Sequence, residues 1–167
     1  MLSAAIEPRS GRLVVAEMAP LGGDELNIVE AGGNYGWPRV SNGDHYGRPG
    51  ASSALGVIPG HATDTEMIAP LRSWSPVISP SGAAFYAESL FRQWRGDLLV
   101  GGLSSEALVR LRLDEDGEGI AVEERLAMNK RIRDVLVASD GAVMLLVDAA
   151  NGELLRLTPV EVEVSLR

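Results

Sequence analysis

Asp24 and Glu25 are the residues of this chain best placed to do chemistry, because they directly follow a Gly22-Gly23 pair and lie just beyond Ala19-Pro20. Both are oxygen donors, and the surrounding glycines and proline let backbone carbonyls approach a common point, which is how calcium collects its roughly six to eight oxygens. The same residues also read as a hairpin turn at Gly22-Gly23 with two acids solvated at its shoulder.

A second group with chemical potential is the pair Arg131 and Arg133. Two apart on a strand, they would point to one face about 6 to 7 Å apart while Ile132 points to the other. Such a pair is a fork for carboxylates, since guanidinium groups bind them bidentately and stack on flat conjugated rings. The alternative is a pair of exposed arginines beside Lys130 that balance Glu123 and Glu124 across a strand pair. His45 and His61 are too scattered for a histidine metal cluster and read as surface residues. No residue stands out as catalytic.

The elements that must hold these residues are short strands. Leu98–Leu111 lies without gaps over Met144–Leu157, each reading as strand, turn, strand, and the spacing between the copies is that of propeller blades. Ala5–Glu17 resembles Val135–Asp148 in the same way, with Ser10-Gly11 and Asp140-Gly141 at the hairpin turns. Further turns are expected at Pro80-Ser81-Gly82, Arg95-Gly96-Asp97, Asp116-Gly117 and Asn151-Gly152. The expected fold is all-β, a partial six-bladed-type β-propeller of about three four-stranded antiparallel blades in one domain over 1–167. The blades fall at about 2–30, 76–126 and 131–159, with a long irregular loop at 31–75, rich in Gly, Pro, Ser and Asn. The alternation of Val160–Leu166 predicts a half-buried strand, and Leu90, Phe91 and Trp94 allow a helical turn or two over Glu88–Trp94. Propellers close with about four to eight blades, so three leave open strand edges through which self-association is one outcome.

Composition excludes several classes. Apolar residues make up 46% and charged residues 23%, ordinary for a globular protein with a core. The net charge of −8 repels phosphate backbones and anionic lipid surfaces, so no nucleic-acid partner is expected. Cysteine is absent, which removes disulfide and thiolate chemistry. No apolar run approaches the roughly 18 residues that cross a bilayer, so membrane insertion is not expected. The start MLSAAIEPRS has neither the basic nor the apolar region of a secretory signal.

Ala16–Pro38, AEMAPLGGDELNIVEAGGNYGWP, closely resembles the calcium-binding segment of the soluble quinoprotein sugar dehydrogenases, the glucose/sorbosone dehydrogenase family that uses pyrroloquinoline quinone (PQQ). Asp24, Glu25, Asn27, Gly33, Asn34, Tyr35, Gly36, Trp37 and Pro38 stand in that pattern. Trp74–Gly82 with Phe85-Tyr86 looks like the family's segment before an inner strand, and Arg131-Ile-Arg-Asp-Val135 with Ser139-Asp140-Gly141 and Leu146-Val-Asp148 looks like its Arg-x-Arg-Asp-Val, Pro-Asp-Gly and Leu-Thr-Asp.

The resemblance implies two cofactors, PQQ and calcium, and an aldose sugar as substrate. Arg131 and Arg133 would hold the quinone, a planar tricarboxylate. The carbonyls of Ala19 and Pro20 would ligate the calcium that polarises it, and Glu25 with Tyr35 would serve a second calcium. Departures are Met18, where relatives often carry Gln or His, Ala19 in place of glycine, and Ser104 where glucose-oxidising relatives place a lysine. Those relatives also have Trp and Thr where Ser75 and Val77 stand, which places the closer match in the aldose dehydrogenase branch. The family's general base is a histidine in its N-terminal half, for which this chain has no matching motif, so the chain alone is expected not to turn over. Family members usually work in the periplasm or outside the cell. The competing reading is a non-catalytic β-propeller module for protein contacts, or a calcium-braced scaffold.

Overall fold

The computed structural model describes residues 3–46 and 58–160. Eleven strands form three antiparallel sheets. The first holds β1 (Ser3–Ile6), β2 (Leu13–Glu17), β3 (Asp24–Ile28) and β4 (Arg72–Trp74) in that order. The second holds β5 (Pro80–Phe85), β6 (Leu98–Gly102), β7 (Ala107–Leu113) and β8 (Ile120–Ala127). The third holds β9 (Ile132–Val137), β10 (Val143–Val147) and β11 (Leu154–Leu157). The only helical pieces among the described residues are single 3₁₀ turns at His61–Thr63 and Arg92–Trp94.

This is the all-β arc of propeller blades that the repeats predict, with two differences. The first blade does not end near Glu30: its fourth strand, β4, comes from inside the stretch that reads as irregular, and pairs Asp24 with Trp74 and Leu26 with Arg72. The third sheet has three strands among the described residues, and the strand expected over Val160–Leu166 lies, beyond Val160, outside them.

The core is two apolar layers between the three sheets. Val14, Ala16, Leu26 and Trp74 of the first pack on Leu98, Val100, Val109 and Leu111 of the second. Leu99 and Leu108 of the second pack with Tyr86, Phe91 and Trp94 against Ile132, Val135, Val143 and Leu145. Alternation of side chains along β6 therefore sends Leu98 and Val100 one way and Leu99 the other, and all five β6 residues are buried. Gly82 permits the closest approach of two sheets, since a Cβ there would lie 2.0 Å from Asp134 Oδ1 and 2.7 Å from the Val135 nitrogen.

The turn between β1 and β2 is held by one buried acid. Glu7 Oε1 accepts from the Arg9 N–H (3.0 Å), and Oε2 accepts from the Ser10 N–H (2.7 Å) and hydroxyl (2.6 Å). Burial alone would raise the Glu7 carboxyl, but the Ser10 hydroxyl, the two N–H groups and the Arg9 guanidinium together lower it from 4.5 to about 2. A folded-state pKa below the unfolded one stabilises the native state above about pH 4.5, and that contribution is lost as the pH falls toward about 2. Glu7→Gln is therefore expected to cost about 1–2 kcal/mol near neutral pH and almost nothing near pH 2. Urea denaturation at both ends of that window measures it, and an equal loss at both would contradict this account.

Candidate functional site

Because neighbouring strands run in opposite senses, the connections after β2, β4, β6, β8 and β10 all fall at one end of the arc. That end carries Ala19-Pro20, Ser79, Ser104, Arg131 and Asp148. The first strands of successive sheets, β1, β5 and β9, pack against one another and form the inner edge of the arc.

Gly22 and Gly23 both have positive φ and make the turn between β2 and β3. Glycine is needed at Gly23 for space as well, since a Cβ there would lie 2.1 Å from the Gly43 nitrogen. Ala19 is not among the residues with positive φ, so alanine is accommodated where relatives have glycine. The solvated-shoulder reading of the two acids is not what the structure shows. Asp24 is 1% exposed and turns inward, its Oδ1 accepting from the Ala19 N–H (3.0 Å) and its Oδ2 from the Ser79 N–H (2.7 Å). Burial pushes its carboxyl up, opposed by the backbone N–H groups of Ala19, Ser79 and Ile78.

Ala19, Pro20, Glu25 and Tyr35 line one cavity of about 720 Å³, together with Met18 and Trp37. Against its Glu17 and Glu25 lining lies a polar cluster that only partly satisfies itself. Asn27 Nδ2 lies 3.4 Å from both Glu17 Oε2 and Glu25 Oε2, while its buried Oδ1 has no hydrogen-bond partner. His61, expected at the surface, is buried: Nε2 sits 3.0 Å from the Tyr35 carbonyl oxygen and Nδ1 is 4.0 Å from Glu25 Oε1. A carbonyl can only accept, so Nε2 carries a hydrogen, and Nδ1, the ring nitrogen facing Glu25, makes no hydrogen bond. Burial drives the Glu25 carboxyl up; Asn27 and His61 oppose the shift and Glu17 adds to it.

Two cavity-lining carboxylates, Glu17 and Glu25, with the Asn27 side chain bridging them and its amide oxygen left without a partner, suit a hard cation. Tyr35 could serve such a cation only through its carbonyl, because its hydroxyl donates to the Ile28 carbonyl (2.7 Å) and accepts from the Glu30 N–H (2.8 Å). No group of three or more His, Asp and Glu side chains with metal-holding geometry occurs among the described residues, so main-chain oxygens would have to complete the shell.

The arginines lie on the neighbouring rim. Arg131 stands just before β9, and the register slips between Leu146 and Val147 so that Arg133 is the extra residue of a β-bulge. Both arginines nevertheless meet at one carboxylate, Asp148: Arg131 Nη2 is 2.7 Å and Arg133 Nη2 3.1 Å from its Oδ2. Glu123 instead pairs with Arg72 and Arg125, and Glu124 with Arg110, so neither neutralises the fork. The Asp148 carboxyl is held below its usual range by the hydrogen bonds from Arg131 and Arg133. Side-chain exposures of 47% and 48% leave both guanidinium groups open to a ligand.

Arg133 lines a smaller hollow of about 280 Å³ with Pro80, Ser81, Gly82 and Met18. Met18 borders both hollows, so the larger cavity and the arginine rim adjoin across its side chain. Pro80-Ser81-Gly82, expected as a turn, is part of β5 and carries a register shift of its own.

Two contributors have no role that the sequence shows, and a third has a different one. Asp148 sits in a quoted motif without a role, although an acid one strand over from two arginines is a pairing signal. His61 gave no signal, since only the fold brings it to Glu25. Asp24 reads in the sequence as a cation ligand, whereas the structure turns both of its oxygens onto backbone N–H groups.

The blades and their rim define a β-propeller arc with one cation-compatible cavity and one carboxylate fork. The glucose/sorbosone dehydrogenase family profile matches residues 1–156, and the chain belongs to that family. It is 34% identical over 157 residues to the aldose sugar dehydrogenase YliI of Escherichia coli, covering 93% of this chain and 40% of that protein. The crystal structure of the soluble aldose sugar dehydrogenase from Escherichia coli in its apo form superposes with a TM-score of 0.82 at 33% identity, over 95% of this chain and 44% of that one. The PQQ-bound aldose sugar dehydrogenase from Streptomyces coelicolor superposes at 0.66 with 25% identity, over 94% and 42%. The chain thus spans less than half the length of these relatives. Among the described residues no helix is long and apolar enough to cross a membrane.

Proposed function

We propose that this chain supplies the calcium- and quinone-binding part of a PQQ-dependent aldose dehydrogenase that works in the periplasm or outside the cell. The observation that carries this reading is that Met18 joins the Ala19-Pro20 turn to the hollow of Arg133 at one end of the arc. Arg131 and Arg133 would hold carboxylates of the quinone, exchanging part of their contact with Asp148 for it. The Ala19 and Pro20 carbonyls would face one calcium, and Glu25 with the Tyr35 carbonyl would face a second. When bound, the quinone supplies the hydride acceptor for oxidation of an aldose, its carbonyl polarised by calcium. The residues of this chain orient the cofactor and balance its charge.

No proton acceptor is assigned here. His61 is buried against Tyr35, and His45 borders the cation cavity rather than the arginine rim. Titrating the chain with PQQ in the presence and absence of calcium, followed by quinone absorbance, tests the reading. Saturable binding that needs calcium supports it, and no binding at millimolar quinone removes the cofactor role.

A second reading has its own support. The outward faces of the outer sheets expose Ile6 (58%), Leu136 (63%) and Leu154 (65%), as a propeller module that pairs with further blades or with a second copy would. Size measurement in solution addresses it. A defined dimer favours a ring that completes itself, and a monomer with intact calcium and quinone binding favours the first reading alone.

A further inference from the structure

Asp24 joins two elements that the proposed site needs and that no strand pairing connects. Its Oδ1 accepts from the Ala19 N–H, in the turn whose carbonyls would meet the cation, and its Oδ2 accepts from the Ser79 N–H, just before the first strand of the neighbouring sheet. Ser79 has φ 52°, a conformation unfavourable for a residue with a side chain, so it needs an external anchor. Its hydroxyl lies 2.7 Å from that of Ser104, the residue standing where glucose-oxidising relatives place a lysine. Pinning the Ala19 N–H also fixes the plane of the Met18–Ala19 peptide from which the Ala19-Pro20 turn starts.

From this geometry we infer that Asp24 is a positioning residue rather than a ligand, clasping the Ala19-Pro20 turn of the first sheet to the Ser79–Ser104 pair of the second. The inference rests on the proposed calcium site. It adds that the turn keeps its carbonyls aimed only while one carboxylate satisfies both amides. Asparagine cannot replace it, because an amide has one acceptor oxygen and one donor nitrogen, and the nitrogen would face either the Ala19 or the Ser79 N–H. Glu25 differs in kind, since it lines the cavity.

The test uses the intact chain and calcium alone. In calcium-free wild type, the Ala19 and Ser79 amides should exchange slowly with solvent. In Asp24→Asn both should exchange faster, while the amides of Leu98, Leu99 and Val100 stay protected and report an intact core. Calcium affinity, read by calorimetry, should fall by about 10- to 100-fold, the usual effect of losing a group that orients ligands. Adding calcium to wild type should also shift the Ser79 amide resonance together with that of Ala19, a readout that needs no variant to fold.

Rapid exchange of either amide in wild type overturns the clasp, and so does a Ser79 resonance indifferent to calcium. Unchanged calcium affinity in Asp24→Asn overturns the positioning role. A wild type with slow Ala19 and Ser79 exchange but no calcium binding refutes the calcium site of the proposed function, and with it any role of Asp24 toward a cation.

Discussion

Replacing Arg131 and Arg133 together by alanine is expected to weaken quinone binding by about two to four powers of ten. Each guanidinium would contribute a charge-assisted hydrogen bond worth roughly 1.5–3 kcal/mol, and about 1.4 kcal/mol is a tenfold change in affinity. The same replacement should leave folding stability almost unchanged. Both side chains are about half exposed and pair only with the partly exposed Asp148 among the ion pairs of the described residues, and exposed pairs contribute about 0–1 kcal/mol. Arginine-to-lysine replacement should recover little of the lost affinity, because an ammonium group is a point charge and not a planar fork. Absorbance titration with thermal unfolding of the same samples separates the two effects. A double variant that still binds the quinone like wild type would place the cofactor away from this rim.

The largest loss of stability is expected at a residue far from the rim. Asp97 is fully buried at the start of β6, where its carboxylate meets the guanidinium groups of both Arg110 and Arg112 on β7. Its backbone adds to the anchor, the carbonyl accepting from the Tyr86 N–H at 2.9 Å and the N–H donating to the Trp94 carbonyl at 2.8 Å. Asp97→Ala would leave Arg110, whose side chain is 12% exposed, with Glu124 as its remaining ion-pair partner. Removing one partner of a buried ionic group typically costs about 3–5 kcal/mol. Against a typical total of about 5–15 kcal/mol, that is enough to bring the chain close to unfolding. Urea denaturation should show a lower midpoint at unchanged slope. A midpoint within error of wild type would mean that the arginines find water as readily as they find Asp97.

Most of what could be read in the sequence was local. Ser10-Gly11, Arg95-Gly96, Asp116-Gly117 and Asp140-Gly141 announce turns because glycine supplies the positive φ that these positions adopt. The strand–turn–strand repeat exposed the second and third blades for the same reason. β4 was not readable: three residues, Arg-Ser-Trp, carry too little pattern, and what makes them a strand is pairing with Asp24–Leu26 across a long excursion. Within the site, the arginine pair and the glycine turn were legible as residue types at fixed spacing. The bulge at Arg133 was not, because a register slip is a property of two strands together. Nor was the division of labour between Asp24 and Glu25, adjacent acids whose different roles follow from strand alternation. One lies on the face toward the second sheet and its Ser79, the other on the face toward the cavity and His61.

The burial of β6 on both sides has a consequence for how this rim can change over time. The middle blade is the spacer between the glycine turn and the arginine fork, and its two dry surfaces are populated by different residues, Leu98 and Val100 on one, Leu99 on the other. A mutation that trims Val100 would loosen the contact with the flank of the glycine turn, and one at Leu99 would loosen the contact with the flank of the arginine fork. The glycine turn and the arginine fork can therefore drift separately under selection, each tuned by substitutions in the spacer between them.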